Sequence, residues 1–394
     1  MLHDKYHGIR WFPRRTAAPR GAGLWYVNHA VWAKGELMRI GIPREIKTLE
    51  GRVGLIPAAC DELQRHGHRV CIESGAGLLS GYSDEQYRAL GVDVVPDALG
   101  VYACAELIIK VKEPVEGDLA LLRREHTLFC YLHLAANRAL AERLCAIGLT
   151  ALAFETVSEN AALPLLAPMS DIAGRLSVQI GATLLQQVHG GKGLLLGGLP
   201  AAERGQVVIL GAGVAGGSAA SVAAALGALV TVFDIKRERL EQMRALGNNV
   251  TALYPYADSL DAAVRTADLL IGATLLPGRR AAHLVSAAQV RAMMPGSVIV
   301  DISVDQGGCI ETTRPTSYAD PTYVVDGVVH FAVTNMPGAV PRSASQALSA
   351  AILPYAQQLA AGDWVHNTAL NAGVNVRGGE MVHPGLREEF LNNT

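Results

Sequence analysis

The chain lacks an excess of charge of either sign, since 34 Lys and Arg face 36 Asp and Glu and leave a net charge of −2 over 394 residues. Nucleic acids and anionic membrane surfaces attract basic proteins, so this balance points to neither as a partner. Charged residues make up 18% and hydrophobic residues 50%, which is typical of a globular chain with a large core. At ~150 residues per domain, the length indicates about two domains.

The six cysteines, at positions 60, 71, 104, 130, 145 and 309, lack any paired spacing. Neither Cys-x-x-Cys nor a zinc-finger arrangement occurs, so the sequence indicates no metal site and no redox pair. The expected state is six thiols in a reducing compartment, which makes the cytoplasm the expected location.

Residues 205–233 lack any Asp, Glu, Lys or Arg. A membrane span would show that absence, and an ordinary tight turn inside a parallel α/β unit is a second alternative. Six glycines and a change from a strand pattern to a helical pattern argue against a span. The region is therefore better interpreted as strand, glycine turn, helix and strand.

The glycine turn itself predicts a dinucleotide site. Gly211, Gly213 and Gly216 form a G-x-G-x-x-G after the apolar run 207–210. The first glycine allows a sharp turn, the second leaves room for a pyrophosphate, and the third lets helix and strand pack closely. The exposed N–H groups of the helix that follows favour a bound anion. Asp234 ends the next strand, where a carboxylate can bind a ribose diol and repel a 2′-phosphate, so NAD is the expected cofactor.

Residues 1–37 differ from the rest of the chain, because they are basic, hold three of the four tryptophans and show no sustained periodicity. They lack the apolar core of a secretory signal, and their likeness to a transit peptide is faint. We expect Met38 to be the natural start, since residues 34–36 can be encoded by a purine-rich tract of the kind that recruits bacterial ribosomes. Residues 1–37 are then a non-native or disordered extension.

From Met38 onward, apolar strands alternate with helical segments, which indicates an α/β fold with mostly parallel sheets covered on both faces. Strands are predicted over 39–43, 69–73, 92–95, 107–111, 127–132, 149–154, 207–210, 229–233, 269–272, 298–302 and 328–333, and helices over 57–66, 137–147, 171–189 and 343–361. We expect two Rossmann-like domains, the first discontinuous in sequence. Residues 38–170 and 341–394 form the predicted substrate domain, 171–340 the predicted NAD-binding domain, and the tail after Gly362 is expected to be irregular.

In such a fold, chemistry is expected at the carboxyl ends of parallel strands. Lys110 and Lys112 end an apolar strand on the same side, so either can hold a carboxylate or extend into solvent. His133 follows the strand 127–132 and is a structural residue or a general acid/base. Asp301 and Asp305 flank another strand end, where one can cap a turn and the other can face a substrate.

Arg52 lies in a loop beside an apolar run, and by itself this arginine indicates little. A role for Arg52 is indicated by a family resemblance that covers more than four-fifths of the chain. From Met38 to about Trp364 the sequence resembles the alanine dehydrogenases, which are NAD-linked amino-acid dehydrogenases. The matching stretches, in order, include MRIGIPREIK, GRVGLIPA, LIIKVKEP, LHLAANRAL, AFETV, LPLLAPMSDIAGRLSVQIGA, the glycine turn, IVDISVDQGGCIETTRPTSY and FAVTNMPGAVPRSASQAL.

The resemblance implies roles for individual residues. It implies that Arg52 and Lys112, rather than Lys110, hold the substrate carboxylate, and that His133 and Asp305 are the acid/base groups. It also implies cofactor contacts from a set spread over the second half of the chain, namely Ser170, Val214, Asp234, Arg239, Leu275, Asn335 and Met336. The implied substrates are L-alanine, pyruvate and ammonia, and the implied assembly is a homo-oligomer, a hexamer.

Other functions remain as alternatives. A transhydrogenase-type NAD(H)-binding subunit shares the fold, although the late motif here is NMPGAVP. A nicotinamide-binding protein without activity and an opine- or saccharopine-type dehydrogenase are the others. Lys236 and Arg237 follow Asp234 by two and three residues and can accommodate a 2′-phosphate, which leaves NADP open as a second coenzyme.

Deleting residues 1–37 is expected to leave folding and activity intact, because the regular pattern begins at Met38. The measurement compares thermal unfolding and NADH formation from L-alanine for the full chain and for a chain that starts at Met38. Loss of either property in the shorter chain contradicts the assignment of residues 1–37 as an extension.

Overall fold

The computed structural model describes residues 37–274, 283–362 and 364–392. Almost all of the predicted N-terminal extension and one predicted cofactor residue, Leu275, lie outside these ranges. Within them, the chain forms two sheets that are each covered by helices on both faces. We call the first sheet with its helices the first lobe, and the second sheet with its helices the second lobe.

The first sheet has the strand order β15-β14-β6-β5-β4-β1-β2-β3. Its strands are β1 (Arg39–Ile42), β2 (Arg69–Glu73), β3 (Asp93–Val95), β4 (Leu107–Ile109), β5 (Thr127–Cys130), β6 (Thr150–Ala153), β14 (Val374–Arg377) and β15 (Glu380–Met381). Strands β1 to β6 run parallel, whereas β14 and β15 are antiparallel additions at one edge.

The second sheet has the strand order β12-β13-β11-β10-β7-β8-β9. Its strands are β7 (Gln206–Leu210), β8 (Leu229–Phe233), β9 (Val250–Leu253), β10 (Leu269–Gly272), β11 (Val298–Asp301), β12 (Thr322–Val325) and β13 (Val328–Phe331). All pairings are parallel except that of β12 with β13. Apart from the antiparallel edge strands, both sheets repeat the Rossmann order 3-2-1-4-5-6. The order reverses between β1 and β4 and between β7 and β10, where such folds bind their ligands.

The described helices are α1 (Pro57–Arg65), α2 (Asp84–Arg88), α3 (Ala98–Cys104), α4 (Glu116–Leu119), α5 (Arg138–Ile147), α6 (Ala167–Leu184), α7 (Val214–Ala225), α8 (Arg237–Arg244), α9 (Ala257–Thr266), α10 (Ala287–Arg291), α11 (Pro341–Ala361), α12 (Thr368–Gly373) and α13 (Pro384–Asn392). The two longest, α6 and α11, link the two sheets. Helix α11 returns the chain to the first sheet, so the first lobe is discontinuous, as expected.

Both faces of each sheet are buried, which explains the continuous apolar runs in the sequence. In β7, Val207 and Ile209 face one core cluster and Val208 and Leu210 face the other. In β4, Leu107 and Ile108 also point to opposite cores. The alternation follows from the two-residue period of a strand, and it confirms the predicted fold class.

At the glycine turn, the backbones of the strand and the helix lie so close together that a side chain would not fit between them. Gly211 has φ +98°, and a Cβ there would lie 2.7 Å from the carbonyl oxygen of Ala273. A Cβ on Gly216 would lie 1.8 Å from the carbonyl oxygen of Gly211. Residues 205–233 therefore form β7, α7 and β8 rather than a span. Among the described residues, no helix combines the length and apolar character needed to cross a membrane.

Two expectations differ from the structure. The tail after Gly362 is not irregular, because it contains α12, β14, β15 and α13. Asn375, in this tail, is buried and donates to Thr156 Oγ1 at 2.8 Å, so polar residues here complete the first sheet. The cysteines also differ, since Cys71 and Cys104 are joined as a disulfide with their Cα atoms 7.5 Å apart. Packing of α3 against β2 brings the two cysteines together although 33 positions separate them in sequence, so no short motif predicts their contact.

Gly216→Ala is expected to destabilise the chain by about 3 kcal/mol, because its methyl group would overlap a backbone oxygen that cannot move freely. The neighbouring Gly217→Ala is the matched control, since its Cβ would meet only the flexible end of Met243 at 3.4 Å. Helix propensity alone favours alanine at either position by about 0.5–1 kcal/mol. Urea unfolding of both variants without cofactor tests this, and equal midpoints contradict it.

Candidate active site

The predicted site residues of the first lobe follow the carboxyl ends of three strands. Arg52 lies in the loop after β1, Lys112 follows β4, and His133 follows β5. Two predicted residues of the second lobe reach the same junction, Asp305 after β11 and Asn335 after β13. Parallel strands end at the same edge of a sheet, so residues far apart in sequence meet there.

Arg52 is buried, and its guanidinium already has partners from both lobes. Its Nε donates to Glu50 Oε1 at 2.7 Å and its Nη2 to Glu50 Oε2 at 2.6 Å. Nη2 also donates to Asn335 Oδ1 at 2.7 Å, and Asn335 Nδ2 donates back to Glu50 Oε2 at 3.0 Å. Nη1 lies 3.2 Å from the sulfur of Met169. One amino group of Arg52 is thus left with only a weak acceptor.

The ionisation of this pair follows from its contacts. Burial raises the pKa of Glu50, but the hydrogen bonds and the charge of Arg52 outweigh burial and lower the pKa overall. Burial likewise lowers the pKa of Arg52, and Glu50 reverses that effect to raise it. Both groups are therefore charged at neutral pH, and the pair has no net charge.

The two lysines after β4 have different surroundings. Lys110 is buried, with Nζ 3.3 Å from Asp118 Oδ1 and 3.5 Å from Glu45 Oε2. Burial lowers its pKa, but the two carboxylates outweigh burial and raise it. Lys112 is half-buried, and no carboxylate of the described residues lies within ion-pair distance of its Nζ. Lys110 is part of the packed interior, whereas Lys112 is open to a ligand.

His133 has an unusual backbone conformation, with φ +49° and ψ +37°. A non-glycine residue in this region carries strain that its surroundings must offset. The carboxylate of Glu155 accepts the backbone N–H of His133 at 2.6 Å, and that of Leu132 at 3.2 Å. The imidazole is exposed and stacks on the ring of Tyr131 with centroids 5.8 Å apart. The Tyr131 hydroxyl is itself bonded to the Leu165 carbonyl oxygen at 2.6 Å.

Of the two aspartates after β11, one is structural. Asp301 is fully buried and accepts from Ser303 N at 2.9 Å, Cys309 N at 3.0 Å and Thr313 Oγ1 at 2.7 Å. Asp305 has an accessible carboxylate. Atoms of both lobes surround it at longer range, so loss of hydration raises its pKa, while the charges of Lys112 and His133 oppose that rise.

The segment that carries Asp305 lies close to the glycine turn. Ser303 Oγ donates to the Thr274 carbonyl oxygen at 2.7 Å, and a Cβ on Gly211 would lie 3.3 Å from Thr274 Cγ2. The segment that carries the candidate acid/base group is therefore connected to the glycine turn through Thr274.

The glycine turn fits a dinucleotide. Gly213 precedes α7 without a side chain to cap the helix, and Val214 in the first turn is 50% exposed, so the first N–H groups, which have no partner within a helix, are available to an anion. The Asp234 carboxylate, which is buried, accepts from Ala212 N and Lys236 N, both at 2.8 Å. Arg239 Nη1 lies 3.4 Å from Asp234 Oδ2. These bonds fix the carboxylate at the end of β8, with oxygen lone pairs left over for a ribose diol.

The remaining predicted cofactor residues occupy separate positions around the junction. Ser170 lies in the first turn of α6, three residues after the helix begins at Ala167. Met336 is buried, and its carbonyl oxygen accepts from Tyr318 Oη at 2.9 Å. Asn335 has φ +61° and is bonded to the Glu50–Arg52 pair rather than turned away from it. Leu275 is outside the described residues.

Three residues at the junction were missed by the sequence argument: Glu50, Tyr131 and Glu155. Glu155 and Tyr131 follow or end strands at the same edge, so the rule that selected Lys112 could have selected them. Tyr131 also lies two residues before His133, which is the spacing of one strand face. Glu50 had no comparable signal, because its importance depends on where Asn335 folds.

Comparison with known proteins agrees with this arrangement. Residues 41–173 match the family model for the alanine dehydrogenase/PNT N-terminal domain, and residues 177–384 match the model for the C-terminal domain. The chain belongs to the alanine dehydrogenase/PNT family. The resemblance and the fold class expected from the sequence are therefore confirmed.

Individual relatives of the alanine dehydrogenase/PNT family are similar over almost the whole chain. Alanine dehydrogenase of Bacillus subtilis is 46% identical over 90% of this chain and 95% of its own length. A solved L-alanine dehydrogenase is 50% identical, with a TM-score of 0.87 over 91% of this chain and all of its own. The solved transhydrogenase from Sinorhizobium meliloti is 25% identical, with a TM-score of 0.77 over 88% and 99%.

Lys110→Met and Lys112→Met are expected to have opposite effects. Lys110→Met leaves two buried carboxylates without a counter-ion and should lower the free energy of unfolding by about 3–5 kcal/mol. Lys112→Met should leave stability within about 0.5 kcal/mol but weaken binding of a small carboxylate such as oxamate by roughly 10- to 100-fold. Urea unfolding and oxamate titration in the presence of NADH measure the two effects. Similar losses of stability in both variants contradict the assignment.

Proposed function

We propose that this protein is an NAD-dependent alanine dehydrogenase, which converts L-alanine, NAD and water to pyruvate, ammonia and NADH and also catalyses the reverse reaction. The observation that carries the proposal is the meeting of Lys112 and His133 from the first lobe with Asp305 from the second, next to the glycine turn. Identity of 46% to an alanine dehydrogenase over 90% of the chain supports the same function.

The described residues suit the steps of this reaction. Nη1 of Arg52, which lies against only the weak acceptor sulfur of Met169, and the ammonium group of Lys112 are the donors for the substrate carboxylate. A bound nicotinamide supplies the hydride acceptor for the α-carbon of alanine. The imidazole of His133 accepts the proton of the water that attacks the resulting iminium, and later returns it to the leaving amine. Asp305 orients the amine and the water and balances the positive charge of the iminium.

Backbone bonds give His133 its place in this scheme. The Glu155 carboxylate accepts hydrogen bonds from the backbone N–H groups of Leu132 and His133, and the Tyr131 ring stacks on the His133 imidazole. The backbone of His133 is thus fixed and its ring lies parallel to that of Tyr131, which places the imidazole for proton transfer.

The cofactor proposed is NAD rather than NADP. Asp234 holds a negative charge where a 2′-phosphate would lie, and Arg239 is already paired with that carboxylate. We further propose domain limits of 38–170 with 341–394 and of 171–340, a cytoplasmic location and a homo-oligomer, in keeping with the family resemblance.

A transhydrogenase-type subunit is the main rival, because a solved transhydrogenase shares the fold at 25% identity. The two differ in a simple assay. The alanine dehydrogenase proposal expects the purified chain alone to form reduced nicotinamide from L-alanine and NAD, and to do so much more slowly with glycine, L-serine or NADP. No reduction with any amino acid favours the rival, and binding of NADH without turnover favours a non-enzymatic protein. Dependence of turnover on a second amino acid favours an opine-type enzyme.

His133→Ala is expected to reduce kcat about 100- to 10,000-fold, because it removes the proton-transfer group. NADH affinity should remain within a factor of about three, since the imidazole lies on the opposite lobe from the glycine turn. Steady-state rates in both directions and NADH fluorescence titration make the test. Near-normal turnover in this variant removes His133 from the mechanism.

A further inference from the structure

Glu50 has no role in the reaction as described so far, yet its carboxylate accepts three hydrogen bonds from Arg52. Its carboxylate takes Nε–H, one Nη2–H and the backbone N–H of Arg52, at 2.7, 2.6 and 3.0 Å. Both side chains are almost completely buried, with 1% and 2% of their surfaces exposed. A guanidinium has five N–H donors, so most of them are used before a substrate arrives.

We propose that Glu50 is a positioning and specificity-determining residue that turns Nη1 of Arg52 toward the substrate and cancels the arginine charge, so that the site accepts a monocarboxylate. The proposal rests on the proposed function of the site and deepens it. Its two parts, direction and charge, both follow from the contacts of Glu50 with Arg52.

The direction of Arg52 follows from its donors. The side-on edge, Nε with Nη2, is the edge that binds a carboxylate through two parallel bonds, and Glu50 occupies it. The second proton of Nη2 goes to Asn335. Only Nη1 remains, against the weak acceptor sulfur of Met169. A substrate carboxylate therefore meets Arg52 at one atom and in one direction.

The charge of the site follows from the same contacts. Arg52 and Glu50 form a neutral pair, so the unmatched positive charge near the substrate comes from Lys112, which has no carboxylate of the described chain at ion-pair distance. Among the described residues, this one unpaired cation matches one substrate carboxylate, while the negative charge of Asp305 faces the positive iminium. A dianion would place a second negative charge near Glu50 and Asp305 in a partly dehydrated site, where repulsion is strong.

Asn335 extends this arrangement to the second lobe. Its amide bonds to both members of the pair, at 2.7 Å to Arg52 and 3.0 Å to Glu50, and its backbone lies against Asp305. The position of Glu50 is therefore held from both sides of the junction, which is why a change of its charge should alter selectivity without moving the loop far.

The test uses the full-length enzyme and two variants of Glu50. Glu50→Gln keeps the shape of the side chain but removes the charge and frees one guanidinium donor. We expect kcat for pyruvate reduction to fall about 30- to 100-fold, in line with the cost of misplacing a reactant by about 1 Å, while KM changes less than about threefold. Inhibition by oxalate, a dianion, should strengthen relative to that by oxamate, a monoanion of similar size, by at least about tenfold.

Glu50→Asp separates position from charge. The charge stays, but the shorter side chain cannot reach both Nε and Nη2, so kcat should fall while the ratio of oxalate to oxamate inhibition stays as in the unmodified enzyme. Glu73→Gln is the matched control, because Glu73 is a buried carboxylate of the same sheet that pairs with Arg44. It should change neither kcat nor the ratio. NADH titration counts the folded sites in every sample, so partial misfolding cannot be mistaken for loss of turnover.

The outcomes distinguish this inference from the proposed function. If the unmodified enzyme does not reduce pyruvate, the proposed function fails. If it does, and Glu50→Gln retains both normal kcat per NADH site and a normal inhibitor ratio, the inference about Glu50 fails alone. A fall in kcat that is equal in Glu50→Gln and Glu73→Gln, with no change in the ratio, also overturns the inference, since it shows only general structural support.

Discussion

A buried charged side chain needs a partner of opposite charge, and this requirement determines how Arg52 and Glu50 are arranged. The pair is nearly inaccessible to solvent, so neither member can be left without its partner at acceptable cost. Asn335, from the opposite lobe, completes the hydrogen bonds that the pair cannot satisfy itself. The loop after β1, the last turn before α11 and the junction between the lobes are therefore tied together by one group of polar contacts.

The same constraint separates the two lysines of one short segment. Lys110 points into the first lobe, where Asp118 and Glu45 surround its ammonium group, and Tyr102 Oη donates to Asp118 at 2.8 Å. Lys112, two residues later, has passed the end of β4 and lies at the junction. A cation inside a dry cluster is already matched and has no capacity for a ligand, whereas a half-buried cation without a partner can bind one. Function depends here on the depth of each residue rather than on its type.

Much of the fold could be predicted because the sequence pattern is local. The alternation of apolar strand segments with helical segments and the glycine turn predicted the order of strands and helices, and β2 and β10 have the predicted limits, Arg69–Glu73 and Leu269–Gly272. Helix α6 begins four residues before the predicted Asp171, because Pro168 fits the first turn of a helix. The C-terminal tail was mispredicted, since β14 and β15 are short edge strands that take their order from β6 and carry polar residues.

What the sequence by itself determined is the set of chemical groups and the fold that presents them: a glycine turn, a strand-end aspartate, and the candidate cations and histidine after parallel strands. These depend on near neighbours, and a motif or a resemblance can identify them. The resemblance favoured Lys112 and Asp305, but only the tertiary structure gave Lys110 its two buried carboxylates, placed Asp301 in a turn, and brought Glu50 and Arg52 to Asn335. The physical reason is that desolvation and charge pairing depend on residues up to 285 positions apart, whose distances are determined only when both lobes have folded.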